Sequence, residues 1–192
     1  MEKDGKWIIS KDFEFCYGHR VWSQQLIAGY STDLCLKCRH LHGHQGKVVV
    51  RLYAEMLENG MVTDFKHLGW FKQWLDDVLD HKFIMDINDP LLIHEFPESK
   101  KLKYTGDMNF ENLDYNKEYS FWTISNSIIQ SVDFPVREKY EGLVFVNFVP
   151  TSENLSMWLF DIVKKKMSAI DINTHSVILY ETPKSSSEYI GY

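Results

Sequence analysis

Hydrophobic and polar residues alternate along two long segments near the start of the chain, a pattern that predicts half-buried strands. The first segment runs from Trp7 to His19, and its large side chains fall on one face at Phe13, Phe15, Tyr17 and His19. The second begins near Val48 and ends at the turn dipeptide Asn59–Gly60. Two shorter β-rich segments follow much later, at 144–148 and 176–182. The pattern therefore predicts strands near both ends of the chain.

Two further segments carry apolar residues at helical spacing. The first begins near Thr63 or Asp64, either of which can cap a helix, and it continues to Leu79. The second begins near Thr151 or Ser152 and ends in the lysines at 164–166, which suit the C-terminal end of a helix dipole. Both segments are predicted helices.

The remaining segments give weaker signals. Residues 86–149 combine prolines with a polar stretch, so we expect an insertion at about 95–143. The serine-rich end of the chain, from Pro183 onward, is predicted to be a loosely held tail. The order of the elements predicts an α+β fold, in which an antiparallel sheet carries two helices on one face, within a single domain spanning 1–192.

Composition and charge limit the possible functions. A length of 192 residues fits one domain, and a net charge of −6 at pH 7 disfavours nucleic acid and anionic membranes as partners. No apolar run approaches the length that spans a bilayer, and the start of the chain lacks the apolar core of a secretory signal. We therefore expect a cytoplasmic protein. Its odd number of cysteines, 3, favours thiol or metal chemistry over a disulfide framework.

A pair of histidines one residue apart is the strongest candidate for chemistry. His42 and His44 project from the same face of an extended segment, and Gly43 between them lets another backbone approach closely. A hairpin-like pairing of the first two strands would bring His19 beside them, and three imidazoles with an open position describe a catalytic zinc site. The alternative is a closed structural knuckle formed by Cys35, Cys38, His42 and His44.

Other residues suit catalysis or ligand binding. Cys38 near a divalent cation would be pushed toward thiolate and could act as a base or nucleophile, although a free cysteine is more often a small buried hydrophobe. Asp80 beside His81 could relay a proton, although such pairs at helix ends are usually only solvated. Glu181 could grip an amidine-like edge of a ligand, although an exposed strand glutamate is the commoner case.

Six motifs in one order carry a resemblance to a known family. They are FCYGHR at 15–20, Cys38-x-x-x-His42-Gly43-His44, GMVTDF at 60–65, LDH at 79–81, PTSEN at 150–154 and ET at 181–182. Together they resemble the 6-pyruvoyltetrahydropterin synthase superfamily over roughly residues 7–94 and 144–190. The resemblance implies the tunnel fold, or T-fold, in which the sheets of several subunits join into an oligomeric β-barrel. It also implies a homo-oligomer, commonly a hexamer, with active sites where subunits meet.

The resemblance assigns roles to individual residues. It implies that Zn(II) is held by His19, His42 and His44, and that the substrate is a pterin triphosphate, 7,8-dihydroneopterin triphosphate. Cys38 would be the proton-abstracting base, with Asp80 and His81 as its relay. The pterin ring would be anchored by Glu181 and seated by Thr151 and Ser152.

The spacing between the cysteine and the histidine pair separates two branches of that family. The short spacing from Cys38 to His42 resembles the branch that forms 6-carboxytetrahydropterin, with loss of acetaldehyde and triphosphate, for queuosine and 7-deazaguanine synthesis. The pyruvoyl-forming branch, which only eliminates triphosphate, has a longer spacing and is one alternative. A non-enzymatic structural zinc module is another. Cys35 and the insertion at about 95–143 depart from the family pattern.

Overall fold

The computed structural model of this chain describes residues 5–92, 110 and 112–191. The strands in these segments are β1 (Trp7–His19), β2 (His42–Ala54), β3 (Lys82–Asp86), β4 (Leu113–Asn116), β5 (Phe121–Ile124), β6 (Leu143–Val146), β7 (Asn173–Thr182) and β8 (Ser185–Ile190). The helices are α1 (Gly69–Val78), α2 (Asn126–Ser131), α3 (Phe134–Glu141) and α4 (Ser152–Ser168). Within the described residues, no helix is both long and apolar enough to cross a membrane.

The two long strands at the start of the chain form as the alternation predicts. β1 has the predicted bounds, and its buried side chains are the predicted set, Phe13, Phe15, Tyr17 and His19. β2 starts at His42, earlier than the predicted start near Val48. The pattern did not indicate this first part of the strand, because small and polar residues there interrupt the apolar alternation. Both strands therefore carry candidate metal ligands.

The described chain divides into two compact units. Among the described residues, the first unit comprises 5–16, 44–80 and 152–191, and the second comprises 17–43, 81–92, 110 and 112–151. In the first unit, β7 lies between β2 and β8 and is antiparallel to both. In the second unit, the strands follow the order β4-β5-β6-β3, and β3 also pairs with Tyr17 and Gly18 at the end of β1.

Most strand pairs are antiparallel, as the sequence predicts, and two pairs are parallel. β3 runs parallel to β6 and to the end of β1. A parallel pair needs a long crossover connection, and the chain between β3 and β6 supplies it. Among the described strands, neither set closes into a barrel on its own, because β4 and β8 each have one sheet neighbour.

The two predicted helices pack on the same face of the sheet, as expected. Asp64 caps a short 3-10 turn, Phe65–Leu68, by accepting a hydrogen bond from the backbone N–H of Lys66 at 2.8 Å, and α1 follows. Edge-to-face ring contacts then connect β1 to α1, from Phe13 to Phe71 at 5.2 Å, and α1 to α4, from Trp74 to Trp158 at 5.8 Å. These contacts confirm the α+β arrangement.

The serine-rich end of the chain is a strand, which corrects the prediction of a loose tail. β8 pairs with β7 along its length, and Tyr189 packs edge-on against Phe160 of α4 at 5.1 Å between ring centroids. β8 is an edge strand, and edge strands tolerate polar side chains on both faces. Its low hydrophobicity therefore hid it from the sequence pattern.

The second unit has its own hydrophobic core. It is built around Trp122 and Phe145 from β5 and β6, with Met85, Tyr140 and other apolar residues packed against them. Tyr115 of β4 stacks on Trp122 at 4.7 Å between centroids. The described part of the predicted insertion, from 112 to 143, thus contains regular strands and helices, while 95–109 and 111 lie outside the described residues.

Candidate active site

Three histidines lie together at the ends of β1 and β2. His19 is the last residue of β1, His42 is the first residue of β2, and His44 follows two residues later. One ring nitrogen from each of the three lies within 4.8 Å of the others. His19 is buried, and His42 and His44 are partly exposed. The structure therefore brings together the three residues that the spacing predicts as metal ligands.

Backbone carbonyls fix the rings of two of these histidines. The Nδ1–H of His19 donates to the carbonyl oxygen of Pro150 at 2.6 Å, and the Nδ1–H of His42 donates to the carbonyl oxygen of His40 at 2.8 Å. With the proton on Nδ1, the lone pair is on Nε2. Metal-binding histidines generally donate the other ring N–H to such a partner. Both rings thus present the nitrogen that a metal needs.

The donor set fits zinc in an open, catalytic type of site. Three neutral imidazole nitrogens are a common ligand set for catalytic zinc, whose further position holds water or substrate. Neither Cys35 nor Cys38 belongs to a metal-binding group in the described part of the chain. The grouping of the side chains therefore counts against the closed knuckle of Cys35, Cys38, His42 and His44.

A glycine lets the strand that carries the histidine pair approach β1. A Cβ atom on Gly43 would lie 3.0 Å from the backbone oxygen of Tyr17, closer than such atoms normally come. On the facing strand, a Cβ on Gly18 would lie 2.5 Å from the ring of Phe83. The expected role of Gly43 in a close backbone approach is confirmed.

Cys38 lies on the connection between His19 and His42, in a short 3-10 turn, Lys37–Arg39. It is partly buried, whereas Cys16 and Cys35 are exposed. Its carbonyl oxygen accepts a hydrogen bond from the backbone N–H of Val21 at 2.6 Å. This bond connects Cys38 to Val21, which is close in sequence to the candidate ligand His19.

Asp80 and His81 lie in the turn between α1 and β3. The side chain of Asp80 accepts a hydrogen bond from the backbone N–H of Cys16 at 2.7 Å. His81 is exposed and has a positive φ of 59°. Neither residue belongs to the three-histidine group, and their relay role stays a prediction.

Two of the residues expected to bind the pterin lie at the start of α4. The backbone N–H of Thr151 donates to the carbonyl oxygen of Val149 at 2.7 Å, and Ser152 is the first residue of the helix. Both follow Pro150, whose carbonyl oxygen holds the ring of His19. The predicted ligand-binding motif and a predicted metal ligand are therefore in direct contact through one peptide group.

Glu181 occupies a β-bulge. Opposite β8, Tyr180 pairs with Ser186 and Thr182 pairs with Ser185, so the register of the ladder shifts by one residue at Glu181. A bulge redirects the side chain of the extra residue and is frequent beside active sites. Glu181 is partly buried. Its place at a bulge and its partial burial therefore distinguish Glu181 from an ordinary exposed glutamate on a strand.

A buried polar cluster next to His19 was missed by the sequence reasoning. Arg20 lies with its Nε 2.9 Å from Oδ2 of Asp89, and the indole N–H of Trp22 donates to Asp86 at 2.9 Å. Both aspartates are buried, and burial raises the pKa of Asp89 while the Arg20 guanidinium opposes that rise. The cluster fixes the connection that follows β1 to the end of β3. The sequence indicates this cluster only through Asp86 and Asp89, which lie on either side of Asn88, and such a pattern is common in turns.

The fold and the three-histidine group together define a T-fold protein with a candidate metal centre. The profile of the family described as 6-pyruvoyl tetrahydropterin synthase matches residues 8–191. The 6-carboxy-5,6,7,8-tetrahydropterin synthase of Aquifex aeolicus is 32% identical over 194 residues, which cover 96% of this chain and 98% of that protein. The chain belongs to the 6-pyruvoyl tetrahydropterin synthase family.

Solved structures agree with this assignment. An uncharacterized protein from Wolinella succinogenes superimposes with a TM-score of 0.90 at 42% identity, covering 98% of this chain and 100% of that one. The 6-pyruvoyl tetrahydropterin synthase of Caenorhabditis elegans has a TM-score of 0.54 at 20% identity and covers 100% of both chains, a likeness of fold alone. The resemblance inferred from the motifs is thereby confirmed at the level of family and fold.

Proposed function

We propose that this protein is a zinc-dependent 6-carboxy-5,6,7,8-tetrahydropterin synthase. It would convert 7,8-dihydroneopterin triphosphate to 6-carboxytetrahydropterin, with release of acetaldehyde and triphosphate, in the synthesis of queuosine and other 7-deazaguanines. The observation that carries the proposal is the three-histidine group, in which two rings have Nδ1–H bound to carbonyls. The full-length similarity to the Aquifex aeolicus enzyme supports the choice of reaction.

The metal ligands in this proposal are His19, His42 and His44. Zinc held there would act as a Lewis acid, stabilising negative charge that develops on a substrate oxygen. The contacts to Pro150 and His40 keep the ring nitrogens aimed in fixed directions, and such outer contacts typically change metal affinity or activity by about 10- to 100-fold. The backbone thus fixes the orientation of two of the three proposed ligand rings.

The proposed base is Cys38, which removes a proton from the substrate side chain. Its place on the connection between two ligand histidines supports this role, since a base must come within hydrogen-bond reach of the proton that it takes. Asp80 and His81 would complete the proton relay.

Substrate recognition is assigned to Glu181, Thr151 and Ser152. A carboxylate can accept two parallel N–H bonds from the aminopyrimidinone edge of a pterin, a strong and directional contact. The bulge at Glu181 supports this assignment because it takes the side chain out of the regular alternation of β7.

The remaining parts of the proposal concern the whole protein. We propose a homo-oligomer, with a hexamer as the expected size, in which the open sheet edges join between subunits. We also propose a cytoplasmic enzyme that consists of a single family domain, 1–192, with an insertion at about 95–143. Neither nucleic acid nor membrane is expected as a partner, given the net charge of −6.

The decisive experiment combines product identification with metal analysis on one purified sample. The proposal expects about one zinc per chain, as in a single three-histidine site, and a product that has lost its two outer side-chain carbons as acetaldehyde. A product that keeps the three-carbon side chain would assign the pyruvoyl-forming activity instead.

A matched pair of cysteine variants tests the base. Cys38→Ala should reduce turnover by at least about 100-fold, since general-base catalysis contributes about 10²- to 10⁴-fold. Cys35→Ala, in the same connection, should turn over like the wild type because Cys35 is exposed and outside the proposed site. Full activity of Cys38→Ala would remove Cys38 from the proposal.

A further inference from the structure

The connection that carries Cys38 is held by hydrogen bonds between residues near its start and residues near its end. It leaves β1 after His19 and returns to β2 at His42, with Cys38 in a 3-10 turn of three residues near its end. A 3-10 turn of this length has few internal hydrogen bonds and poor hydrogen-bond geometry. The position of Cys38 therefore depends on what the rest of the connection contributes.

The side chain of Gln24, near the start of the connection, binds the backbone of Cys38. Its side-chain Oε1 accepts a hydrogen bond from the backbone N–H of Cys38 at 3.1 Å. Gln24 is itself fixed, because Arg39 donates from Nε at 3.0 Å and from its second guanidinium nitrogen at 2.7 Å to the Gln24 carbonyl oxygen. Gln24 is partly buried, whereas its neighbour Gln25 is exposed.

The two hydrogen bonds to Cys38 differ in whether they need a particular side chain. The bond from Val21 to the Cys38 carbonyl joins two backbones and is available to almost any residue at either position. The bond to the Cys38 N–H needs a side-chain acceptor of the right length at position 24. Together they fix both sides of the Cys38 residue, and with it the direction of its Cα–Cβ bond.

We propose that Gln24 is a positioning residue for the Cys38 thiol. The inference rests on the proposed function, in which Cys38 is the base, and it adds a residue that acts through the cysteine without contacting substrate. Displacement of a reacting group by about 1 Å can cost about 100-fold in rate. Loss of the Gln24 acceptor should therefore lower kcat while substrate binding and the metal ligands are unaffected.

Three variants of the full-length protein test the proposal. Gln24→Met keeps the length of the side chain and removes the acceptor, Gln24→Glu keeps an acceptor oxygen, and Gln25→Met is the matched control. Each variant is assayed for kcat, KM and zinc content. In the same samples without substrate, hydrogen exchange of the Cys38 backbone amide is followed, because it reports the bond itself.

We expect Gln24→Met to reduce kcat by about 10-fold or more, with KM and zinc content within about twofold of the wild type. The Cys38 amide should exchange faster, and Gln24→Glu should restore its protection and most of kcat. Gln25→Met should match the wild type throughout. Wild-type kcat in Gln24→Met, or a loss of kcat that Gln24→Glu does not recover, would overturn the proposal.

The outcome also separates this inference from the proposed function. If Cys38→Ala stays fully active, the assignment of the base has failed whatever Gln24 does. If Cys38→Ala is inactive while Gln24→Met is fully active, only the positioning role of Gln24 has failed.

Discussion

Gly43 lies between two candidate ligand histidines at the point where β2 passes close to the backbone of Tyr17. Gly43→Ala should push the two strands apart, since the added methyl group meets a backbone oxygen that has little room to move. We expect a loss of about 1–3 kcal/mol in the free energy of unfolding, and a reduced affinity for zinc. Urea denaturation and metal titration would measure the two effects.

Gly69→Ala is the matched control for that substitution. Gly69 has a helical φ of −61°, and no atom would lie within 4 Å of its added Cβ. It should bind zinc like the wild type and be at least as stable. Equal behaviour of the two alanine variants would contradict the account of Gly43.

Glu181 offers a second prediction at the level of one residue. Glu181→Gln keeps the size of the side chain but removes the charge and one acceptor oxygen, so the proposed contact with the pterin would no longer be charge-assisted. Hydrogen bonds to charged groups contribute about 1.5–3 kcal/mol, which predicts an increase in KM for the pterin substrate of about 10- to 100-fold. Glu141→Gln, exposed at the end of α3, should leave KM unchanged. A normal KM in Glu181→Gln would remove the residue from the binding site.

The sequence could identify most of the candidate site residues but not their supports. HxH spacing and strand alternation were enough to bring His19, His42 and His44 together, because both depend on side chains of the strands themselves. The acceptors that orient the rings are carbonyl oxygens of Pro150 and His40, and every residue has one. A contact that any residue can make leaves no pattern in the sequence.

At the scale of an element, the connection after β1 is fixed by the ion pair of Arg20 and Asp89, whose side chains are 17% and 1% exposed. Arg20→Gln should destabilise the protein by about 3 kcal/mol near neutral pH, because it leaves a buried carboxylate without its partner. The double variant Arg20→Gln/Asp89→Asn should recover much of this loss. Urea denaturation of both variants measures it.

The same variant should have a defined pH dependence. Burial raises the pKa of Asp89, and Arg20 lowers it, so Arg20→Gln should raise it further. A native carboxyl group with a raised pKa keeps its proton to higher pH than the unfolded chain, so rising pH destabilises the native state through that window. The loss of unfolding free energy caused by Arg20→Gln should therefore become smaller as the pH is lowered from about 7.5 to about 5. A loss of equal size at both pH values would contradict this account.

Elements were predictable where one face is buried and the other is not. β1 and α4 show clear alternation or helical spacing, and their predicted positions are confirmed. β3 is a short segment whose last three residues are all buried, and β8 is an edge strand with mostly exposed side chains, so neither has the contrast that a pattern needs. The parallel pairing of β3 also depends on contacts between distant segments, which local spacing cannot encode.

At the scale of the whole molecule, the open ligand set predicts how the protein responds to metal removal. The strands that carry the histidines are held by ladders and cores of their own, so a chelator should abolish turnover while the far-ultraviolet circular dichroism keeps its shape. Added zinc should restore turnover. Unfolding upon chelation, as expected of a closed structural site, would contradict this prediction.

Two histidine variants complete that experiment. His42→Ala should fail to retain zinc even without chelator, because it removes one of the three proposed ligands. His40→Ala should bind zinc like the wild type, since His40 contributes a backbone carbonyl that alanine retains.

The placement of His19 at the end of one strand and His42 at the start of the next has a consequence for how such enzymes diversify. The imidazoles belong to the sheet, whereas Cys38 belongs to the connection between them. A different connection grafted between these two positions would keep the metal and replace the acid–base chemistry. We expect chimeras of this kind that keep Arg20 and Trp22 to inherit the proposed zinc affinity from the recipient and the reaction outcome from the donor, which makes residues 23–41 an exchangeable segment.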